Sequence, residues 1–270
     1  MSNEALLKEV GTLLSILNEG APVALGAISW ASPVVSFGNP AVSKVATLGL
    51  NPSNLEFVDR VGKPLLEPYN RFESLGSLNA ASWGEVAQLG VQRIWETCED
   101  YFFRNPYDQW FKRLDRTLTK TGASFYSRIG ESACHLDLVP FATADKWSTL
   151  PRGHQTRLIE LGAPSLARTL SASDIRVLVL NGATVVREFS RLVAADSLRA
   201  QVESSWTLQD GRVQGISYIG RISEVGSIAL RRELLVLGFN HNIQSSFGVT
   251  NQAIANIATW IGSQSEGVLV

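Results

Sequence analysis

The spacing of apolar positions changes repeatedly along the chain, and the changes predict an alternation of helices and strands. From Asn3 to Leu17 the residues Leu6, Leu7, Val10, Leu13, Leu14 and Leu17 recur with a helical period that Gly20 and Pro22 end. An apolar run from Lys44 to Leu50 predicts a first buried strand, and the stretch from Asn51 to Ala81 after it is polar, glycine-rich and without period. Loops of that length are usually functional or mobile. Trp83 to Phe103 and Asp108 to Lys120 then predict two helices separated by the Asn105-Pro106 break. The second carries Trp110, Phe111, Leu114 and Leu118 at core spacing.

Beyond these, Ala133 to Val139 predicts a second strand, Gln155 to Leu170 a helix despite Gly162 and Pro164, Ile175 to Leu180 a third strand, and Ala183 to Leu198 another helix. Trp206 to Ile222 alternates only partly around an Asp210-Gly211 turn, which reads as a hairpin or edge appendage rather than a central strand. Glu233 to Phe239 predicts the last central strand and Ile254 to Ile261 a closing helix. Such alternation argues an α/β fold, a three-layer α/β/α sandwich around a mostly parallel sheet of about four strands. One domain over residues 1–270 is expected, with an N-terminal helical extension at 1–40, because no repeat, low-complexity tract or linker interrupts the pattern.

Composition narrows the class. The 270 residues are 45% hydrophobic and 18% charged, enough to bury a full core. No run approaches the roughly 18 apolar residues of a membrane span. The Met-Ser-Asn-Glu start has no basic segment leading into an apolar one, so a cytoplasmic protein with no membrane partner is expected. A formal net charge of -1 counts against a protein that coats nucleic acid by bulk electrostatics, leaving only local contacts. Cys98 and Cys134 lack Cys-x-x-Cys spacing and are expected as buried free thiols, without a disulfide framework or metal cluster. The first strand is followed by no Gly-x-Gly-x-x-Gly or phosphate-binding Gly-x-x-x-x-Gly-Lys loop, which disfavours an ordinary nucleotide-binding enzyme.

Candidate chemistry concentrates in two polar segments that follow apolar runs: Gly49-Leu50-Asn51-Pro52-Ser53, and His241 to Ser246 after Leu234 to Asn240. In open parallel sheets ligands bind at the carboxyl ends of strands, so two such loops, distant in sequence, are expected to share one site.

Read in order, Gly49 to Ser53, then Asn105-Pro106-Tyr107-Asp108-Gln109-Trp110-Phe111, then His135-Leu136-Asp137-Leu138-Val139-Pro140, then Leu178 to Ala183, then a final strand running into His241, the chain resembles the uracil-DNA glycosylase superfamily over roughly residues 44 to 262. The resemblance implies an enzyme that flips a nucleotide out of DNA and hydrolyses its glycosidic bond, leaving an abasic site. It needs neither a metal nor an organic cofactor, and a monomer acting on duplex or single-stranded DNA is expected.

The resemblance also assigns roles. Asn51 matches the residue that holds the attacking water, as in the mismatch-specific branch, and its amide can orient water but not take a proton. An Asn-Pro turn capped by its own side chain is the plainer alternative. His241 matches the histidine that donates to the leaving base, where one donor in a dry pocket is worth roughly 3 to 4 kcal/mol, or else it is a structural strand-end residue. His135 and His154 are expected to be structural or peripheral. Asn242, Ile243, Gln244, Ser245 and Ser246 stand where the family presses a loop into the minor groove, with Ile243 or Gln244 as the wedge and the serines on phosphate oxygens.

Asp137 falls where uracil enzymes carry an asparagine that reads the base edge. A carboxyl group can accept from the N4 amine of cytosine and, when it holds a proton, donate to N3, so Asp137 suits cytosine better than uracil. Burial beside Leu136, Leu138 and Val139 would favour that proton; the alternative is a capping or Arg-paired acid. Ser53 replaces a bulky tyrosine that the uracil enzymes set against C5, which opens room for a C5 substituent such as the hydroxymethyl or glycosyl groups of phage cytosines. Phe72, or else Phe57, is expected to stack on the flipped base, with Gly49 and Pro52 shaping the base pocket. Cations available for phosphates, among them Arg71, Lys146, Arg152, Arg187, Arg221, Arg231 and Arg232, are scattered. An enzyme for base repair or phage defence that excises a C5-modified cytosine is therefore expected. A uracil or thymine mismatch glycosylase and a non-catalytic nucleic-acid-binding module remain the alternatives.

Overall fold

The structure, a computed structural model, describes residues 2–127, 131–244 and 248–269. Three short strands of fully or nearly fully buried residues, β1 (Val45–Gly49), β2 (Ala133–Asp137) and β3 (Val177–Asn181), pair in parallel with β1 in the middle. Their apolar runs are continuous because parallel strands of this kind are covered on both faces. A longer strand, β6 (Ile228–Phe239), pairs in parallel with β3, and from it β5 (Val213–Val225) and β4 (Arg199–Leu208) extend the sheet antiparallel. The order is β2-β1-β3-β6-β5-β4, so the sheet is mixed and has six strands rather than four.

The two extra strands are the hairpin expected around Asp210-Gly211, longer than its apolar pattern. β4 is an exposed edge carrying Arg199, Gln201 and Glu203, and such a strand leaves no apolar period in the sequence. Gln209, Asp210 and Gly211 all adopt positive φ in the connection, the conformations that turn residues tolerate.

Seven α-helices occur among the described residues. The first, α1 (Ser2–Asn18), buries Leu6, Val10, Leu13, Leu14 and Leu17, as its period requires. Behind it α2 (Ala21–Ala24) is a single turn, and residues 25–43 are irregular, so only half of the expected N-terminal extension is helical. Within that stretch Phe37 exchanges backbone hydrogen bonds with His135 of β2. The predicted helix over 83–103 is shorter, α3 (Gln88–Glu99), with a 3-10 turn on either side, and α4 (Asp108–Asp115) ends before Lys120. Next come α5 (Arg152–Ala172), which accommodates Pro164, and α6 (Ala183–Ser190), which starts where Gly182 turns the chain out of β3 at φ 97. The last helix, α7 (Asn251–Leu269), packs on β3, β4 and β6.

A bidentate ion pair, Arg168 Nε and Nη2 to Glu9 at 2.6 and 2.9 Å, ties α1 to α5. Cys98 and Cys134 are buried free thiols; burial pushes them up to about 11 and about 12 and keeps both protonated. No helix among the described residues is long and apolar enough to cross a membrane.

Candidate active site

A cavity of about 380 Å³ opens at the carboxyl ends of the four parallel strands, and residues at the end of β2 and following β1, β3 and β6 reach it. This volume lies within the roughly 300–1,000 Å³ typical of small-molecule sites. The chain leaves β1 toward β2 on one side and β3 toward β6 on the other, so the cavity sits where the order reverses.

Asn51 lines it. The Asn51 amide donates through Nδ2 to Thr143 Oγ1 at 3.0 Å, Pro52 O at 3.1 Å and Phe141 O at 3.4 Å, which fixes the side chain. Its Oδ1 makes no hydrogen bond among the described residues and is left for a ligand or water. Gly49 and Pro52 also line the cavity, and Ser53 stands at its exposed rim. There Ser53 Oγ accepts from Leu55 N at 3.2 Å and caps a 3-10 turn, Asn54–Glu56.

Asp137 reaches the same cavity from the end of β2, in register with Gly49. His135, two residues earlier and so on the same face of the strand, lies with Nε2 3.3 Å from Asp137 Oδ1 and Nδ1 2.6 Å from Thr47 Oγ1. An Nε2–H directed at the carboxylate leaves Nδ1 to accept from the Thr47 hydroxyl. His135 is therefore held within β2, as the structural alternative expected, and it also lines the cavity. A Cβ on residue 49 would run into Asp137 Oδ1 and come within 2.9 Å of His135 Nε2, so only glycine leaves room for the pair.

Glu56 escaped the sequence reading. The turn capped by Ser53 carries it inward, where it is 3% exposed yet lines the cavity. Tyr101 Oη donates to its Oε2 at 2.8 Å, and Arg71 Nε lies 3.8 Å from the same oxygen. Burial pushes the Glu56 carboxyl up to about 7; the Tyr101 hydrogen bond and Arg71 oppose the rise, and the charge of Asp137 adds to it. Arg71 is itself held by Leu55 O and Asn105 O, and lies over the Tyr107 ring at 5.6 Å. The Ser-x-x-Glu spacing of Ser53 and Glu56, a helix-start pattern, was the available clue that this acid is placed by a turn.

Several expected site residues lie elsewhere. His241 is 4% exposed and turns away from the cavity, and its Nε2–H donates to Trp206 O of β4 at 2.7 Å. It is held by the hairpin, whose partner carbonyl no sequence pattern reveals. Ile243 is fully buried in the core and so is no wedge. Phe72 and Phe57 are also buried, Phe72 stacking on Tyr101 at 5.1 Å and meeting Phe37 edge-on at 5.2 Å, which leaves it no face for a base. The aromatic side chains at the cavity are Phe37, Tyr107, Trp110 and Phe111; of these Tyr107 and Trp110 are partly exposed and offer the stacking surface.

Asn242 and Gln244 do reach the cavity, whereas Ser245 and Ser246 lie outside the described residues. Gln244 accepts from Asn181 Nδ2 at 3.3 Å and donates to Trp110 O at 3.4 Å, bridging β3 to α4. Asn242 Oδ1 accepts from Gln244 N at 3.2 Å. Asn181 Oδ1 is buried without a partner at the cavity wall. Of the scattered cations, Arg187, Arg221 and Arg232 pair with Glu188, Glu233 and Asp174. Among the described residues no group of three or more His, Cys, Asp or Glu side chains could hold a metal ion.

Comparison with known protein families finds no match for the chain, and comparison with curated proteins finds none either.

Proposed function

We propose that this protein is a DNA glycosylase that takes a flipped cytosine bearing a C5 substituent into the cavity and hydrolyses its glycosidic bond, leaving an abasic site. The observation that carries the reading is that Asn51 and Asp137, assigned separately as the water and base residues, line one cavity. In this reading Asn51 Oδ1 orients the attacking water and Asp137 accepts from the N4 amine of the base. Tyr107 or Trp110 replaces Phe72 as the stacking face. With His241 engaged by Trp206, the amide of Asn242 takes over as donor to the departing base. Ser53 at the rim leaves the C5 side open. The same reading carries an α/β/α layering, DNA as partner, and a cytoplasmic monomer serving repair or defence against phages with modified DNA.

The test is a panel of duplexes bearing uracil, a thymine mismatch, cytosine or 5-hydroxymethylcytosine, incubated with the protein and then cleaved at abasic sites with alkali. Cleavage at 5-hydroxymethylcytosine is expected. Cleavage at uracil alone would make it a uracil enzyme, and binding without any cleavage would make it a non-catalytic module.

A further inference from the structure

Hydrolysis needs a group that takes a proton from water, and Asn51 cannot, because an amide is not a base near neutrality. Among the groups at the cavity that can accept a proton, both ring nitrogens of His135 are engaged by Thr47 and Asp137, and Asp137 is committed to the base edge in the proposed reaction. Glu56 stands in the same loop as Asn51, five residues on, and reaches the same cavity.

We infer that Glu56 is the general base of this site, an assignment that rests on the glycosylase reading and adds to it the group that activates the water. The Glu56 carboxylate takes one proton from the water held by Asn51. The water oxygen bonds to C1′, and the bond from C1′ to the base nitrogen breaks with its electron pair on the base. The proton on Glu56 then passes to the departed base or to bulk water, which restores the carboxylate. No oxidant, reductant or metal is required for the balance.

The surroundings of Glu56 suit this task. Tyr101 and Arg71 hold its Oε2 in place, and Tyr107 N donates to Tyr101 Oη at 2.9 Å, which fixes the donor in turn. The charged and titratable groups facing it are Tyr101, Arg71 and Asp137, and only the first two favour its ionised form. A base matched to neutral pH is the most effective kind, since it is ionised in the working range yet still holds a proton firmly.

The test is single-turnover release from the 5-hydroxymethylcytosine duplex, or from whichever duplex of the panel is cleaved, measured across pH 5 to 9. For the wild type the rate is expected to rise about tenfold per pH unit and then level off as Glu56 ionises, near about 7. Glu56→Gln is expected to lose roughly 10²-fold or more at the plateau, and its profile should go flat. Tyr101→Phe removes a hydrogen bond that favours the ionised acid, so it should move the midpoint to higher pH while keeping the ring packing. A merely structural role for Glu56 would not shift that midpoint. A flat wild-type profile, a Glu56→Gln variant within a few-fold of wild type, or an unmoved midpoint in Tyr101→Phe would overturn the assignment while leaving the glycosylase reading intact. Absence of release from every duplex would overturn both.

Discussion

The loops that follow β1 and β6 begin alike, each a short polar segment after a buried apolar strand, yet they serve different masters. After β1, the main-chain turn spends only Nδ2 of Asn51 on the fold and leaves Oδ1 at the cavity. After β6, the β4–β5 hairpin claims both flanks: Asn240 accepts from Ile216 N at 2.8 Å and donates to Gln214 O at 2.8 Å, and His241 donates to Trp206 O. The difference lies in what each strand has for a neighbour. β1 is flanked by short parallel strands that stop at the cavity floor, whereas β6 borders a long antiparallel strand that runs past it and supplies competing carbonyls.

Substitutions at four positions sharpen or break this contrast. Asn51→Ala should carry the largest effect, a loss of about 10² to 10³-fold in base release, equivalent to roughly 3 to 4 kcal/mol of barrier, because in the proposed reaction Asn51 orients the water. Single-turnover assays measure it, and a loss under tenfold would remove Asn51 from the chemistry.

Next in size is the pH dependence of folding that Glu56 creates. Its carboxyl is raised from 4.5 to about 7 in the folded state, so the folded protein holds the proton over a range in which the unfolded chain has released it. The contribution is full below about pH 4.5 and is lost as pH rises to about 7, a decline of about 3 kcal/mol. Urea denaturation at pH 5 and pH 8 should show this decline in the wild type and not in Glu56→Gln, which is expected to be the more stable of the two at pH 8.

His241→Ala should cost about 1 to 3 kcal/mol of stability by leaving the Trp206 carbonyl without its donor, yet change base release by less than tenfold. Should release instead fall a hundredfold in folded protein, His241 would have to leave the hairpin during catalysis, and the contrast between the loops would dissolve. The smallest effect is expected for Ser53→Ala, about 0.5 to 1 kcal/mol from the lost cap. Ser53→Tyr should suppress release of C5-substituted bases and spare that of any unsubstituted base the wild type releases, which reports on the rim directly.

The three short parallel strands and the buried half of β6 up to Phe239 were legible because strands covered on both faces must be apolar, and runs such as Val177–Leu180 have no other reading at that length; the exposed first half of β6, from Ile228, was not. Helix α1 was legible from its period. What escaped were features decided by partners distant in sequence. The hairpin was legible from its Asp210-Gly211 turn, but the start of β4 before Trp206 was not, because its exposed residues need no apolar pattern, and neither was the pairing of the Trp206 carbonyl with His241. The misplacement of Phe72 has the same origin, since an aromatic ring that packs on Phe37 and Tyr101 looks in sequence like one that waits for a base. Gly49, Asn51, Pro52, Ser53 and Asp137 were placed at one cavity from sequence because strand ends gather in a parallel sheet whatever the details; Glu56 and His135 were missed because their burial beside that cavity is a tertiary fact.

Trp206 joins two jobs in one residue. Its carbonyl holds His241, and its indole, 1% exposed, meets the Trp260 ring of α7 edge-on at 5.4 Å. A displacement of the β6 loop that breaks the His241 bond therefore acts on the backbone of a residue that carries a buried emitter. The difference between the tryptophan fluorescence of the wild type and of Trp206→Phe would report that displacement in real time as DNA is added, with no label attached.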